Sequence, residues 1–286
     1  MSDDHALPIV RTVAALRGHL TPWRERKQTI ALVPTMGALH DGHLSLIRSA
    51  RQQADKVVVS VFVNPRQFGP KEDFAAYPRD EVKDARLLAA ERCDLMYTPG
   101  PDEMYPPGFS TSVSVEGVSD VLCGAARPGH FGGVATVVTK LLAQVGPDVA
   151  IFGEKDYQQL LVIRRVVRDL DLRVEILGAP TGRAPDGLAL SSRNAYLTGP
   201  QREIAPRLHA ILQDVAAAVA GGEKIAAVEA RALAALKAAG FGPVDYLEVR
   251  GSEDLARRGP GPVEGPSRVF VAAWLGKTRL IDNVAI

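Results

Sequence analysis

Two histidines three residues apart, His40 and His43, flank Asp41-Gly42 in the run Thr35-Met36-Gly37-Ala38-Leu39-His40-Asp41-Gly42-His43-Leu44-Ser45-Leu46-Ile47. Imidazoles offer hydrogen-bond donors near neutral pH, and a pair of them at one turn makes a small patch for an anion. Gly37 and Gly42 allow a tight turn and close approach of a ligand to the backbone. The apolar residues 30–33 before the run have the pattern of a buried parallel strand, which Pro34 should end because it cannot donate to a ladder. From His43 onward Leu44, Ile47 and Ala54 recur at helical spacing, so a helix is predicted to begin at the second histidine. Free N–H groups and the positive dipole end at a helix start favour negative charge. Strand, glycine turn, imidazoles and helix start together predict a polyphosphate site.

Further polar residues fall at the carboxyl ends of other predicted strands, where ligands bind in open α/β sheets. The apolar run 56–63 stops at Asn64-Pro65-Arg66-Gln67-Phe68-Gly69-Pro70, which places Asn64 and Gln67 beside a substrate. The buried strand 148–152 leads into Gly153-Glu154-Lys155-Asp156 and a helix over 157–168 that carries Gln159 one turn in. Lys155 there is either a cation for phosphates or an ordinary solvated lysine. Leu190-Ser191-Ser192-Arg193 is either a phosphate-facing loop or a plain helix cap. Arg127 and His130 lie in a stretch, 124–133, too rich in glycine and proline for a regular element, ahead of a helix over 134–145. His40 and His43 could also hold zinc, but no third ligand stands at metal-site spacing. Arg164, Arg165 and Arg168 have the spacing of a solvated helix face.

The elements that must position these groups follow from length and pattern. The 286 residues, 46% of them apolar, suffice for one large or two modest domains. A net charge of +1 lacks the basic stripe of nucleic-acid binders, and no run of eighteen apolar residues predicts a membrane helix. The acidic start, Met1-Ser2-Asp3-Asp4-His5, lacks a signal-peptide pattern, so a cytoplasmic location is expected. Cys93 and Cys123 stand apart and fit reduced, structural thiols. Helices are expected over 9–20 and 80–91, and strands over 95–97, 112–115 and 173–177. After a loop-like stretch, Pro200 opens a helix to about 220 that Gly221-Gly222 close. A second helix over 223–239 and strands over 244–250, 268–274 and 278–282 complete a small unit. The fold class expected is α/β: a Rossmann-like open parallel sheet in a domain of residues 1–183, followed by a smaller α+β domain of residues 184–286.

The run 34–43 resembles the His-x-Gly-His signature of the nucleotidylyltransferase superfamily, in the longer form of the pantoate–β-alanine ligase family. The resemblance continues through 62–68, Tyr77-Pro78-Arg79, 127–131, 152–159, 186–194, 272–276 and 279–283, in order along nearly the whole chain. It implies ATP-dependent joining of (R)-pantoate to β-alanine through a pantoyl adenylate, giving pantothenate, AMP and pyrophosphate. Carried over residue by residue, Met36, Gly37, Ala38, Leu39, His40, Asp41, Gly42 and His43 line the ATP site. His43 is then the catalytic acid and His40 a phosphate partner. Gly153, Glu154, Lys155, Asp156, Gly182, Leu190, Ser191, Ser192 and Arg193 contact nucleotide and phosphates, with Lys155 also catalytic. Gln67 and Gln159 hold pantoate, Gln67 also serves β-alanine, and Asn64, Arg127 and His130 complete the substrate side. The resemblance further implies a homodimer. For such a reaction Mg²⁺ is expected on the ATP phosphates, without a dedicated protein cage and bound through few protein carboxylates. Because an acyl adenylate is prone to hydrolysis, the 180–194 loop and the small second domain suit a lid. Two residues depart from the family pattern: Arg66 stands where an apolar residue such as Met is expected, and Gly182 where a larger apolar one would pack on the adenine. The competing classes are a nucleotidylyltransferase acting on a phosphate, an aminoacyl-tRNA synthetase, for which the chain has no tRNA-binding domain, and a non-catalytic nucleotide sensor.

Overall fold

A computed structural model describes residues 7–70 and 72–286; the acidic run 1–5 lies outside the described residues. The chain forms two compact units. The first comprises the described residues of Met1–Glu116, Arg127–Glu154 and Gln159–Pro180; the second comprises Gly117–Ala126, Lys155–Gln158 and Thr181–Ile286.

In chain order the elements up to residue 180 are β1 (Ile9–Val10), α1 (Val13–Glu25), β2 (Ile30–Thr35), α2 (Asp41–Gln53), β3 (Lys56–Val61), α3 (Glu81–Ala90), β4 (Leu95–Tyr97), α4 (Pro101–Met104), α5 (Cys123–Ala126), α6 (His130–Val145), β5 (Val149–Gly153), α7 (Tyr157–Asp169) and β6 (Glu175–Ala179). The six strands form one parallel sheet in the order β1-β4-β3-β2-β5-β6. From β2 the chain steps outward through β3 to β4, then returns to add β5 and β6 on the other side, so the order reverses between β2 and β5. Their ladder pairs Ala31 with Val149 and Leu32 with Ala150 and stops there, while β2 runs on to Thr35 and β5 to Gly153. A crevice at the carboxyl ends of such a pair is the general ligand position of open α/β sheets. Ala31, Leu32, Val33, Val57, Val58 and Val59 are buried, as strands covered on both faces require.

Pro34 does not end β2 but sits inside it, opposite Ser60. Residues of one parity, Thr29 and Thr35, give their carbonyls to β3, whereas Ile30 of the other parity bonds Asp148 beside β5. Pro34 shares the parity of Ile30, so its missing N–H falls on the side where the ladder has already stopped. The predicted helix over 9–20 is instead a short edge strand followed by α1, whose N-cap Thr12 accepts from the Ala15 amide at 3.2 Å. Residues 112–115 form no strand, and the Val113 N–H donates to Thr136 Oγ1 at 3.0 Å instead of to a ladder. The glycine-rich stretch contains α5 and the first turn of α6, which starts at His130 after Gly129 takes a left-handed φ of 83°.

The second unit adds α8 (Gly199–Ile204), α9 (Arg207–Ala220), α10 (Ile225–Ala238) and an antiparallel sheet β7 (Val244–Gly251), β8 (Ser267–Leu275) and β9 (Thr278–Ala285). The single helix predicted from Pro200 is two, because Pro206 lacks the N–H that a continuous helix would use and stands as the N-cap of α9. Leu208, Leu212, Val215, Leu236, Val249 and Val271 are buried in a common core of helices and sheet. The α/β class, with a parallel sheet and a smaller antiparallel one, is the class expected.

Candidate active site

The histidine turn at the end of β2 is held in an uncommon backbone shape. Gly37 has φ 79° and Ala38 φ 51°, a region that costs a residue with a side chain about 1–2 kcal/mol. The Asp84 carboxylate of α3 compensates by accepting from the Ala38 amide at 3.0 Å and the Leu39 amide at 2.8 Å. A Cβ on Gly37 would stand 2.9 Å from the same carboxylate, so glycine is required at that contact. Burial pushes the Asp84 carboxyl up from its ordinary range, against the lowering effect of the two amides.

Helix α2 begins at Asp41, two residues before the predicted start, with His40 as its N-cap. His40 Nδ1 accepts the Gly42 amide at 3.1 Å. A backbone N–H can only donate, so Nδ1 is the unprotonated nitrogen and Nε2 carries the ring proton. The Gly42 amide is therefore taken by His40. The His43 ring lies against the His40 ring, with centroids 4.1 Å apart. Both imidazoles are half-buried beyond the carboxyl end of β2.

Gln67 lies in a 3-10 turn after β3 (Pro65–Gln67), is buried, and directs Nε2 to the Met36 Sδ at 3.0 Å. The carboxamide and the histidine turn are thus neighbours within the first unit. Asn64, 1% exposed, has its amide used by the protein: Nδ2 donates to Gln67 Oε1 and the Gly133 carbonyl, and Oδ1 accepts from Tyr105 and the Arg66 amide. Arg66, the departure from the family pattern, places its guanidinium 5.3 Å from the Tyr105 ring centre and 5.2 Å from that of Phe109, so a cation stacked on aromatic rings occupies the expected apolar position.

Arg127 and His130, expected on the substrate side, have protein partners in this structure. Arg127 bonds both oxygens of Glu72, at 2.7 and 2.6 Å, and reaches the Gln67 carbonyl at 3.3 Å. His130 contacts that carbonyl through Nδ1 at 2.8 Å and Arg127 through Nε2. They hold the backbone of the Gln67 turn. Burial alone would raise the Glu72 carboxyl, but the Arg127 hydrogen bonds and charge bring it down from 4.5 to about 2. A depressed carboxylate stabilises the fold fully above its unfolded value, and that contribution is lost as pH falls through the folded value. Between about pH 4.5 and 2 the wild type is therefore expected to lose more stability than Glu72→Gln, as thermal melts across that window will show; parallel profiles would remove the ion pair as the cause.

In the second unit, Lys155 lies in the 3-10 turn Glu154–Asp156 that follows β5. Its side chain is 19% exposed with Nζ 3.6 Å from Asp156, and its carbonyl accepts from Asn283 Nδ2 at 3.0 Å. Gly182 and Leu190 are brought together in a small hairpin, where the Leu190 amide donates to the Gly182 carbonyl at 2.9 Å. Asp282 anchors this hairpin to β9 through two bonds from Arg183, at 2.7 and 2.9 Å. Ser191 caps the turn Ser192–Tyr196 by accepting from the Arg193 amide. Gln159, half-buried in the first turn of α7, belongs to the first unit, while the adjacent Gln158 bonds Val118, Val121 and Cys123 within the second. Cys93 and Cys123 are free and buried, and burial lifts the Cys93 thiol to about 12. Sequence reasoning missed Asp84, Glu72, Tyr105 and Asn283, whose partners lie far along the chain.

The chain resembles known proteins over nearly its full length. Residues 8–285 match the family model described as Pantoate-beta-alanine ligase. The pantothenate synthetase of Caulobacter vibrioides is 62% identical over 279 residues, covering 97% of this chain and 98% of that protein. The crystal structure of pantothenate synthetase from Thermus thermophilus superposes with a TM-score of 0.91 at 48% identity, covering 97% of this chain and 99% of that one. A pantoate-beta-alanine ligase from Francisella tularensis, crystallised with beta-gamma ATP and beta-alanine, gives 0.82 at 34% identity, covering 98% of each chain. An imidazole pair at the switch point, a carboxamide beside it and a match from end to end have one common account: this chain belongs to the pantoate–β-alanine ligase family.

Proposed function

We propose that this chain activates (R)-pantoate as pantoyl adenylate and transfers the pantoyl group to β-alanine. The observation that carries it is the 3.0 Å contact of Gln67 Nε2 with Met36, which puts a carboxylate-binding amide beside the histidine turn of the nucleotide. The ATP and β-alanine in the Francisella relative support the same pairing of substrates. A pantoate carboxylate oxygen attacks the α-phosphorus of ATP, forming a P–O bond as the bond to pyrophosphate breaks. The β-alanine nitrogen, deprotonated, then attacks the acyl carbon, the amide C–N bond forms, and AMP leaves. The first step brings anions together, so its main requirement is positioned positive charge and donors. His43 serves as the acid toward the leaving phosphates, with Lys155 and His40 Nε2–H as further phosphate partners. Gln67 and Gln159 hold pantoate. Glu154, Asp156, Gly182, Leu190, Ser191, Ser192 and Arg193 complete the nucleotide side.

Among the described residues no group of three or more His, Cys, Asp or Glu side chains is arranged to hold a metal ion. In this reading Mg²⁺ arrives on the triphosphate, where it would offset phosphate charge. No helix among the described residues is long and apolar enough to cross a membrane. The enzyme acts in this proposal as a cytoplasmic homodimer, with mass in solution as the check on assembly.

AMP release from ATP and pantoate, followed with and without β-alanine, tests the reaction. Pantothenate that forms only when β-alanine is present supports it, whereas a nucleotide ester of a phosphate would transfer the chain to the competing class. Residues 184–286 serve as the lid that excludes water from the adenylate. ATP and pantoate together are expected to protect the 180–194 segment from proteolysis; unchanged cleavage removes the lid.

A further inference from the structure

We infer that Tyr105 and Asn64 form a relay that fixes the polarity of the Gln67 carboxamide, so that Gln67 presents an N–H donor, not a carbonyl, to the acyl substrate. An amide side chain is nearly symmetric in shape, and which end is oxygen must be worked out from its partners. At Asn64 two of those partners are backbone groups with no choice of role. The Arg66 N–H, 3.3 Å away, can only donate, and the Gly133 carbonyl, 3.1 Å away, can only accept. Asn64 therefore carries its oxygen on the Arg66 side and its NH₂ on the Gly133 side. Tyr105 OH, 2.8 Å from Oδ1, adds a second donor to that oxygen. Burial raises the Tyr105 phenol to about 12, so it keeps its proton across the neutral range.

The consequence passes outward. The second hydrogen of the Asn64 NH₂ points at Gln67, 3.0 Å away, and is met by Oε1. With its oxygen committed to Asn64, Gln67 has only Nε2 to direct toward Met36 and the histidine turn. A substrate carboxylate or hydroxyl oxygen meets a donor there, whereas the flipped amide would oppose it with a carbonyl. The turn cannot easily rotate to escape this choice, since Arg127 and His130 hold the Gln67 carbonyl from behind. Tyr105 is itself braced by Phe109, edge-on at 5.1 Å, and by the Arg66 guanidinium over its ring. Asn64 and Tyr105 are accordingly positioning residues that act through Gln67, and the relay rests on the reading that Gln67 faces the acyl substrate.

Asn64→Asp tests the relay with almost no change of shape. The carboxylate accepts from Arg66 and Tyr105 as before but has nothing to donate, so Gln67 must turn Nε2 inward and Oε1 toward the substrate. The KM for pantoate at pH 8 is expected to rise about 10–100-fold, the range for leaving a buried polar group mispaired, with a smaller change in the KM for ATP. Lowering the pH protonates the new carboxyl, which regains a donor for Oε1, so the pantoate KM should fall back toward the wild-type value. The charged and titratable groups around residue 64 are Tyr105, Arg66 and, behind the Gln67 carbonyl, Arg127, Glu72 and His130. They are common to both proteins, so a wild-type profile measured alongside subtracts them.

A folded Asn64→Asp enzyme whose pantoate KM is unchanged, or whose defect does not respond to pH, overturns the relay. Gln67→Ala separates this from the underlying reading. If Gln67→Ala raises the pantoate KM while Asn64→Asp does not, Gln67 binds substrate and the relay alone is wrong. If Gln67→Ala has a normal pantoate KM, both are wrong. Should Asn64→Asp not fold, Tyr105→Phe decides: it removes one of two donors to Oδ1, and a pantoate KM raised about 2–10-fold over that for ATP supports the relay, while unchanged constants refute it.

Discussion

His43→Ala is expected to lower the rate of pantoyl adenylate formation by roughly 10²–10³, about 3–4 kcal/mol of transition-state stabilisation, the usual cost of deleting one preorganised donor from a dry site. The fold should survive the change. His43 is half-buried inside the first turn of α2, and its backbone contact with the His40 carbonyl does not need the ring. His40 is the poorer choice for a clean experiment, because its Nδ1 caps the helix and His40→Ala would add the loss of that cap, about 1 kcal/mol, to any loss of catalysis. Lys155→Ala is expected to lose a similar factor. Its turn is held by Asn283 through the backbone carbonyl, which alanine retains. The double variant should fall short of the product of the two losses, since groups that act on the same developing charge are not additive. Single-turnover AMP formation, with melting curves for each variant, is the measurement. Near-normal adenylation by folded His43→Ala would remove the histidine from the chemistry.

The parallel sheet was legible because its strands are nearly continuous apolar runs, and the runs ending at Thr35, Val61 and Gly153 carry the polar residues that mark a ligand crevice. The boundary errors have local causes. Pro34 can continue β2 because a proline's missing N–H matters only on the side that pairs, and that side depends on which neighbour ends first. Helix α2 starts two residues before its apolar periodicity suggests, because an imidazole acting as N-cap is a weaker sequence signal than Ser, Thr, Asp or Asn. Pro206 was a readable break that helical alanines and leucines on both sides obscured. What no local pattern could reveal is the set of residues that hold the site from behind. Asp84 reaches the histidine turn across 45 positions, and Asn283 reaches Lys155 across 128. In sequence Asp84 is one more acid on the polar helix α3, and Asn283 one more polar residue at the end of a strand. Arg127 and His130, expected on the substrate side, likewise have partners that no local pattern shows, Glu72 and the Gln67 carbonyl.

The adjacent glycines of α6 should respond to alanine in opposite directions. A Cβ on Gly133 would stand 2.2 Å from the Arg66 carbonyl oxygen, 2.5 Å from its carbon and 2.7 Å from the Gln67 nitrogen. All three are backbone atoms, so no rotamer change relieves the contact, and either α6 or the turn Pro65–Gln67 must move. Overpacking of this kind costs about 1–3 kcal/mol. The turn carries Gln67, so displacement there should appear in function beyond the loss of stability. A shift on the order of 1 Å in a positioning group can cost about 10²-fold in rate. Gly133→Ala is therefore expected to combine a lower melting temperature with a pantoate-dependent rate reduced by about that factor. At Gly132 a Cβ meets nothing within 4 Å, and a glycine inside a helix gives up about 0.5–1 kcal/mol relative to alanine. Gly132→Ala should melt higher and turn over normally. Melting curves and pantoate kinetics of the two variants decide the matter side by side. If Gly133→Ala behaves like its neighbour, α6 does not press on the Gln67 turn as closely as the geometry requires, and the support it gives Asn64 through the Gly133 carbonyl weakens with it.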